Sequence, residues 1–194
     1  MRSADPGTVA SMLRQVLSLN CLVDDLYALA RLDAGVPDAA LAPVDVLALA
    51  REQAQSFEDK FTASGLRLET GALPAGAVVQ ADAGALRQVL ANLLENSCRY
   101  TASGGVVRVD GSVDAGSVTI VVDDSAPGVA PGDLARLGER FFRADASRSR
   151  AFGGAGLGLA LAQRIVARHG GTLRFEPSPL GGLRAIVNLP RAPA

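Results

Sequence analysis

The stretch Leu86-Arg-Gln-Val-Leu-Ala-Asn-Leu-Leu-Glu-Asn-Ser-Cys-Arg-Tyr-Thr101 writes two stripes into one segment. Leu86, Val89, Leu90, Leu93, Leu94 and Ser97 recur at offsets of three and four, so a helix that opens on Asp82 as N-cap and runs to about Tyr100 would bury that side. Gln88, Asn92, Asn96 and Arg99 follow at offsets of four, four and three and line a different face. Two asparagines one turn apart set neutral amide oxygens side by side. That suits Mg²⁺ and its waters, which take hard oxygen ligands without another full negative charge beside a triphosphate. A solvated helix face accounts for the same stripe.

Downstream, Val106 to Gly111 alternates faces and Ser117 to Val122 is a β-branched run, which together predict a hairpin turning at Asp114-Ala115-Gly116. Asp123-Asp124-Ser125-Ala126-Pro127-Gly128 comes straight after. A carboxylate there can accept a hydrogen bond from an exocyclic amine while small residues close over a flat ring; an ordinary acidic turn has the same composition. Residues 125 to 155 are rich in Gly, Pro, Ala, Ser and Arg, with one helical stretch near Asp133 to Phe142. A connection this long in a compact domain is a functional lid or a disordered segment. Gly153-Gly154-Ala155-Gly156-Leu157-Gly158-Leu159 then enters a helix running from about Gly156 to His169. Glycines at a helix start let backbone amides approach an anion, with the helix dipole adding attraction. No Lys-Ser/Thr pair follows as in a Walker loop, and no βαβ unit frames a dinucleotide fingerprint. Strands are expected at Thr172 to Glu176 and Leu183 to Leu189.

Upstream, a helix is expected from about Val44 to Ala63, then strands at Leu66 to Thr70 and Val78 to Ala81. The first segment repeats every seven residues: Val9, Val16, Val23 and Ala30 on one seam position, Met12, Leu19 and Leu26 on the next. It stops near Asp33-Ala34-Gly35, with Pro37 and Pro43 beyond. Such a helix dimerises or folds back onto the rest; the same heptads also fit the first helix of a globular core. The fold class is thus α/β in the α+β sense, a two-layer sandwich preceded by a long helix.

Composition narrows the function. In 194 residues, 48% are hydrophobic, enough for a packed core, and a formal charge of -1 gives no long-range attraction to nucleic acid or anionic lipid. No apolar run approaches a membrane span. Cys21 and Cys98 have no framework spacing and fit a reducing cytoplasm.

Taken in order, these elements resemble the catalytic domain of bacterial sensor histidine kinases, within the GHKL fold shared with gyrase, Hsp90 and MutL. Leu86 to Thr101 resembles the N box, Asp124 to Gly128 the first glycine box, Glu139-Arg-Phe-Phe-Arg143 the F box and Gly154 to Leu159 the second glycine box. The wording is similar to that of envelope-stress kinases of the BaeS type, and the resemblance spans roughly residues 8 to 190. It implies ATP and Mg²⁺. Asn96 would ligand the metal and Asn92 act through water or phosphate. Arg99 would meet phosphate, Tyr100 stack on adenine, Asp124 accept from the adenine amine and Gly128 line the base pocket. Gly154, Gly156 and Gly158, with Leu157 between them, would face the phosphates. Phe141 and Phe142 would anchor the lid, and Arg148 or Arg150 reach the γ-phosphate; catalytic roles would fall to Asn92, Arg99, Arg148 and Arg150. Two departures stand out: Ala126 where glycine is usual, and Gly138 where a large apolar residue is common, which would loosen the lid.

The resemblance further implies that residues 1–36 are the second helix of a dimerisation hairpin and 37–194 the ATP-binding domain, with a lid at about 125–155. The family phosphorylates a histidine on the first helix of that hairpin. The only histidine here, His169, does not match that motif and reads as a cation at a helix C-terminus. The chain is therefore expected not to phosphorylate itself. It would act on a histidine-containing dimerisation domain, in cis in a longer protein or in trans, for relay to a response regulator. A homodimer and a cytoplasmic location beneath an inner-membrane sensor are implied, and no nucleic acid partner. An anti-sigma serine kinase on the same fold and a nucleotide-gated dimerisation module without catalysis are the rivals.

Overall fold

A computed structural model describes residues 6–34, 40–144 and 155–192. Helix α1 (Pro6–Asp33) leads to strand β1 (Ala42–Asp45), helix α2 (Val46–Ala63), strands β2 (Arg67–Thr70) and β3 (Val78–Ala81), and helix α3 (Ala83–Tyr100). The hairpin β4 (Val106–Val113) and β5 (Ser117–Ser125) follows, then a one-turn helix α4 (Pro131–Leu134), helix α5 (Gly158–Arg168) and strands β6 (Thr172–Pro177) and β7 (Gly181–Pro190). A five-stranded sheet in the order β2-β4-β5-β7-β6 is antiparallel except for the parallel β2-β4 pair. Helices α2, α3 and α5 pack together and on the sheet. The two-layer sandwich is the expected architecture.

The core lies between these layers. Leu47, Phe61, Leu93, Leu94, Ile120, Leu161 and Val166 are fully buried, and each such side chain contributes about 1.5–3 kcal/mol. The predicted apolar side of α3 is the one observed, and Asp82 caps it by accepting from the backbone N–H groups of Gly84 and Ala85. The far face of the sheet is polar, carrying the pairs Arg108–Glu69 and Arg184–Asp123.

Four expectations are corrected. The helix expected from Val44 begins at Val46, because Ala42–Asp45 is a strand paired antiparallel with β3. Asp45 ends that strand by capping α2, its Oδ1 accepting from Ala48 N–H at 3.1 Å. Four residues holding a proline give too short a pattern to read as a strand. The helix expected over Asp133 to Phe142 stops at Leu134, and three-residue turns continue through Phe142. Gly138 has a packing reason, since a Cβ there would lie 1.7 Å from Gln163 Oε1 on α5. Rather than loosening this segment, the glycine lets it sit close against α5.

His169 is the fourth. It is buried, its Nε2 accepts from the backbone N–H of Asp82 at 3.1 Å, and its Nδ1 lies 2.8 Å from the carbonyl oxygen of Ile165. An N–H can only donate and a carbonyl only accept, so the ring is the neutral Nδ1–H tautomer and not a helix-end cation.

Helix α1 answers both readings of its heptads. Val9, Met12, Val16, Leu19, Val23 and Leu26 are exposed, while Leu29 is buried and Leu22, Ala28 and Leu32 pack against the core. One flank docks near α5 and the heptad seam stays uncovered in the single chain. Among the described residues no helix is long and apolar enough to cross a membrane. Cys98 is a free thiol, half-buried against the core.

Candidate functional site

A cavity of about 770 Å³ opens beside α3. Its walls are Gln88, Asn92, Asn96, Arg99 and Tyr100 of α3, Asp124 of β5, Gly128 just beyond, Phe142 and Arg143 after the turns, and Gly156, Leu157 and Gly158 entering α5. The polar stripe thus faces a cavity, not open solvent. Leu22, Asp24 and Asp25 of α1 and Lys60 of α2 also line it; sequence patterning gave no reason to place these four there.

Asp124 owes its position to regular strand alternation: Val118, Ile120, Val122 and Asp124 share one buried face of β5, and Asp124 lies opposite Val107 of β4. The β5-β7 register shifts between Asp123 and Ser125, with the extra residue on β7. Asp123 is held by Arg184 in a two-pronged pair and by the Ser178 hydroxyl. Asp124 turns to the helices instead: its Oδ2 accepts from the Ser97 hydroxyl at 3.1 Å and its Oδ1 from Leu183 N–H at 2.7 Å. Gly182 makes room, since a Cβ there would lie 2.1 Å from Asp124 Oδ1. Burial pushes the Asp124 carboxyl up to about 6, against the pull of the Leu183 and Ser97 hydrogen bonds. Gly182 was missed because its neighbour lies 58 residues away in the chain.

The polyglycine turn is fixed to the segment after α4. Gly156 has φ +71°, and a Cβ on it would meet the Phe142 carbonyl oxygen at 2.8 Å. Its own carbonyl accepts from Phe141 N–H at 3.0 Å. On the α3 side, Asn92 Nδ2 donates to the Gly158 carbonyl at 3.0 Å. Leu157 is buried at the mouth of α5. The two phenylalanines part company: Phe142 lines the cavity and carries the Arg136 guanidinium 4.1 Å over its ring, whereas the Phe141 side chain is 61% exposed and lies outside the lining. Phe141 is held through its backbone. Arg148, Arg150 and Gly154 lie outside the described residues.

Arg143 is the residue that sequence reading named only as the end of a motif. Its Nε and Nη2 are buried without a hydrogen-bond partner among the described residues, and it lines the cavity. A guanidinium withheld from water needs an acceptor, and this one faces the space where a ligand would sit.

Comparison with known proteins agrees with this geometry. Residues 81–193 match the family described as histidine kinase-, DNA gyrase B-, and HSP90-like ATPase. The chain is 42% identical over 190 residues to the signal transduction histidine-protein kinase BaeS of Escherichia coli K12, covering 98% of this chain and 40% of BaeS. It is 33% identical over 193 residues to the sensor-like histidine kinase SenX3 of Mycolicibacterium smegmatis, covering 97% and 50% respectively. It therefore spans half or less of these relatives. Among solved structures, full-length ShkA in complex with AMPPNP superposes with a TM-score of 0.80 at 32% identity, covering all of this chain and 40% of that one. The mycobacterial sensor histidine kinase MprB gives 0.67 at 26%, over 79% and 99%.

Proposed function

From a chain that belongs to the histidine kinase-, DNA gyrase B- and HSP90-like ATPases and matches sensor histidine kinases along almost its whole length, we propose that the cavity binds ATP with Mg²⁺ and offers the γ-phosphoryl group to a histidine outside these 194 residues. The observation that carries this is the presence, in one cavity, of the buried carboxylate of Asp124 and of the Arg143 guanidinium, whose Nε and Nη2 have no hydrogen-bond partner among the described residues. A nucleotide has an amine for the first and phosphates for the second.

The residues fit a magnesium nucleotide. Among the described residues no cluster of three or more His, Cys, Asp or Glu forms a metal cage, and Mg²⁺ in nucleotide sites needs only one or two protein oxygens beside phosphate and water. Asn96 would supply one, with Asn92 acting through water or phosphate. When bound, the ion would neutralise charge on the transferring phosphoryl group. Asp124, with Gly128 and Tyr100, would hold the base; Arg99, Arg143 and the amides of Gly156 to Gly158 would hold the phosphates, joined by Gly154 and by Arg148 or Arg150. Phosphoryl transfer asks mainly for positioning and charge stabilisation. Asn92 carries an amide, which cannot take a proton from water, so ATP is kept for the acceptor and hydrolysis is slow.

His169 is committed to Asp82 and Ile165, which supports an acceptor elsewhere, on a dimerisation domain supplied in cis by a longer protein or in trans. Residues 1–36 would be the second helix of the dimerisation hairpin and 37–194 the ATP-binding domain, with the lid at about 125–155. The exposed seam of Val9, Met12, Val16, Leu19, Val23 and Leu26 would pair in a homodimer, and a response regulator would take the phosphoryl group onto an aspartate. The location would be cytoplasmic, below an inner-membrane sensor.

The test is to mix the chain with γ-labelled ATP and a separate dimerisation domain bearing the histidine, then add the response regulator. Label should enter the added domain as acid-labile phosphohistidine and pass to the regulator. Label on a serine-bearing partner instead, or brisk steady-state ATP hydrolysis, would overturn the assignment.

A further inference from the structure

Helix α1 forms one side of the nucleotide cavity, and what it presents there is negative. Leu22, Asp24 and Asp25 line the same space as Asn92, Asn96 and Gly156. Neither carboxylate is paired with a cation among the described residues, and burial, with Asp24 alongside, holds the Asp25 carboxyl above the usual carboxylate range. The helix is seated by buried Leu29 and fastened at its last residue. Asp33 Oδ2 accepts from Arg140 Nη2 at 2.5 Å and Oδ1 from Arg164 Nη2 at 2.8 Å. Arg164 is on α5, and Arg140 precedes Phe141, whose N–H holds the carbonyl of Gly156. One carboxylate therefore ties α1 to both walls that flank the glycine turn.

We propose that Asp24 and Asp25 set the cavity's discrimination among adenine nucleotides by charge. While Asp33 keeps α1 docked, they disfavour a triphosphate more than a diphosphate, and a diphosphate more than a monophosphate, so ATP is fully bound only when the α1 contact loosens. The proposal rests on the nucleotide reading of the cavity. Repulsion between like charges grows with each phosphate and weakens with distance and salt, whereas contacts to the base are the same for all three ligands. The exposed Asp33 ion pairs are individually weak and screened by salt, which suits a fastening that a signal arriving along α1 has to release.

The test is calorimetric titration of the 194-residue chain with AMP, ADP and ATP, each with Mg²⁺ and again in excess chelator, where ligand charge grows with each phosphate, for the native sequence, for Asp24→Asn/Asp25→Asn and for Asp33→Asn. In excess chelator the double substitution should raise ATP affinity roughly fivefold, ADP affinity less and AMP affinity least, with the gain shrinking in 0.5 M salt. Asp33→Asn should shift the three nucleotides in the same order. Equal changes for all three, or a loss of ATP affinity on removing the carboxylates, would overturn the proposal while leaving the nucleotide site intact. Absence of binding by every nucleotide, to native and substituted chains alike, would remove the nucleotide reading and this proposal together.

Discussion

Asn92 Nδ2 donates to the carbonyl oxygen of Gly158 at 3.0 Å, joining the middle of α3 to the first turn of α5 across the cavity. The bond uses the donor end of the amide and leaves Oδ1 as its acceptor. The Asn96 side chain, one turn on, makes no hydrogen bond among the described residues. The two amides therefore differ: one is partly structural, the other is available to a ligand.

Asn92→Ala should cost stability and binding together, lowering the unfolding free energy by about 1 kcal/mol for the lost bond. Asn96→Ala should leave unfolding nearly unchanged yet remove most of the Mg²⁺-dependent part of ATP affinity. Denaturant unfolding, and ATP titrations with Mg²⁺ or excess chelator, separate the two. Native affinity that ignores Mg²⁺ would contradict the assignment of Asn96.

Arg143→Ala should weaken ATP binding about tenfold, the order expected for one charge-assisted contact, with little effect on adenosine. Since its Nε and Nη2 are buried without hydrogen-bond partners among the described residues, the substitution should not lower the melting temperature. A destabilised variant with unchanged ATP affinity would mean that the guanidinium serves the fold.

His169→Ala should lower stability by about 1–3 kcal/mol, because the Asp82 N–H loses its acceptor beneath the α3 cap. Nucleotide binding should persist, and no phosphoryl label should appear on His169 in the native chain. Label recovered there would contradict its structural role.

The sandwich was legible because α3, the β4-β5 hairpin and α5 each repeat apolar residues at their own period over enough residues to be read. The polar stripe of α3 and the Asp124 turn were legible for the same local reason. What stayed hidden depends on neighbours distant in sequence. His169 turned from a presumed cation into a neutral bridge through Asp82, 87 residues earlier. Gly138 gained a reason only when Gln163 came beside it. The orphaned Arg143 and the α1 wall are visible only after burial is known, because no spacing rule says which of many arginines loses its water.

Asp124 makes stability depend on pH. Its folded value of about 6 lies above the ordinary carboxylate value of 3.8, so between those limits the folded chain holds a proton that the unfolded chain has released. The stability this contributes is full below about pH 4 and lost as pH rises through 6. With 1.36 kcal/mol per unit, the difference amounts to about 3 kcal/mol at most. Unfolding curves from pH 4 to pH 7 should show the native chain losing stability relative to Asp124→Asn over that window. A flat difference would mean the carboxyl is not desolvated as described.

The most direct test is calorimetric titration of the native chain and of Asp124→Asn with Mg²⁺-AMPPNP at pH 7.5. An asparagine can still accept from Leu183 N–H and meet the Ser97 hydroxyl, so the variant should fold as well as the native chain, while losing the acceptor for the base. The account predicts one nucleotide per native chain and at least a tenfold loss of affinity in the folded variant. A native chain that takes up no nucleotide at millimolar concentration, or a variant that binds as tightly as the native protein, would contradict it.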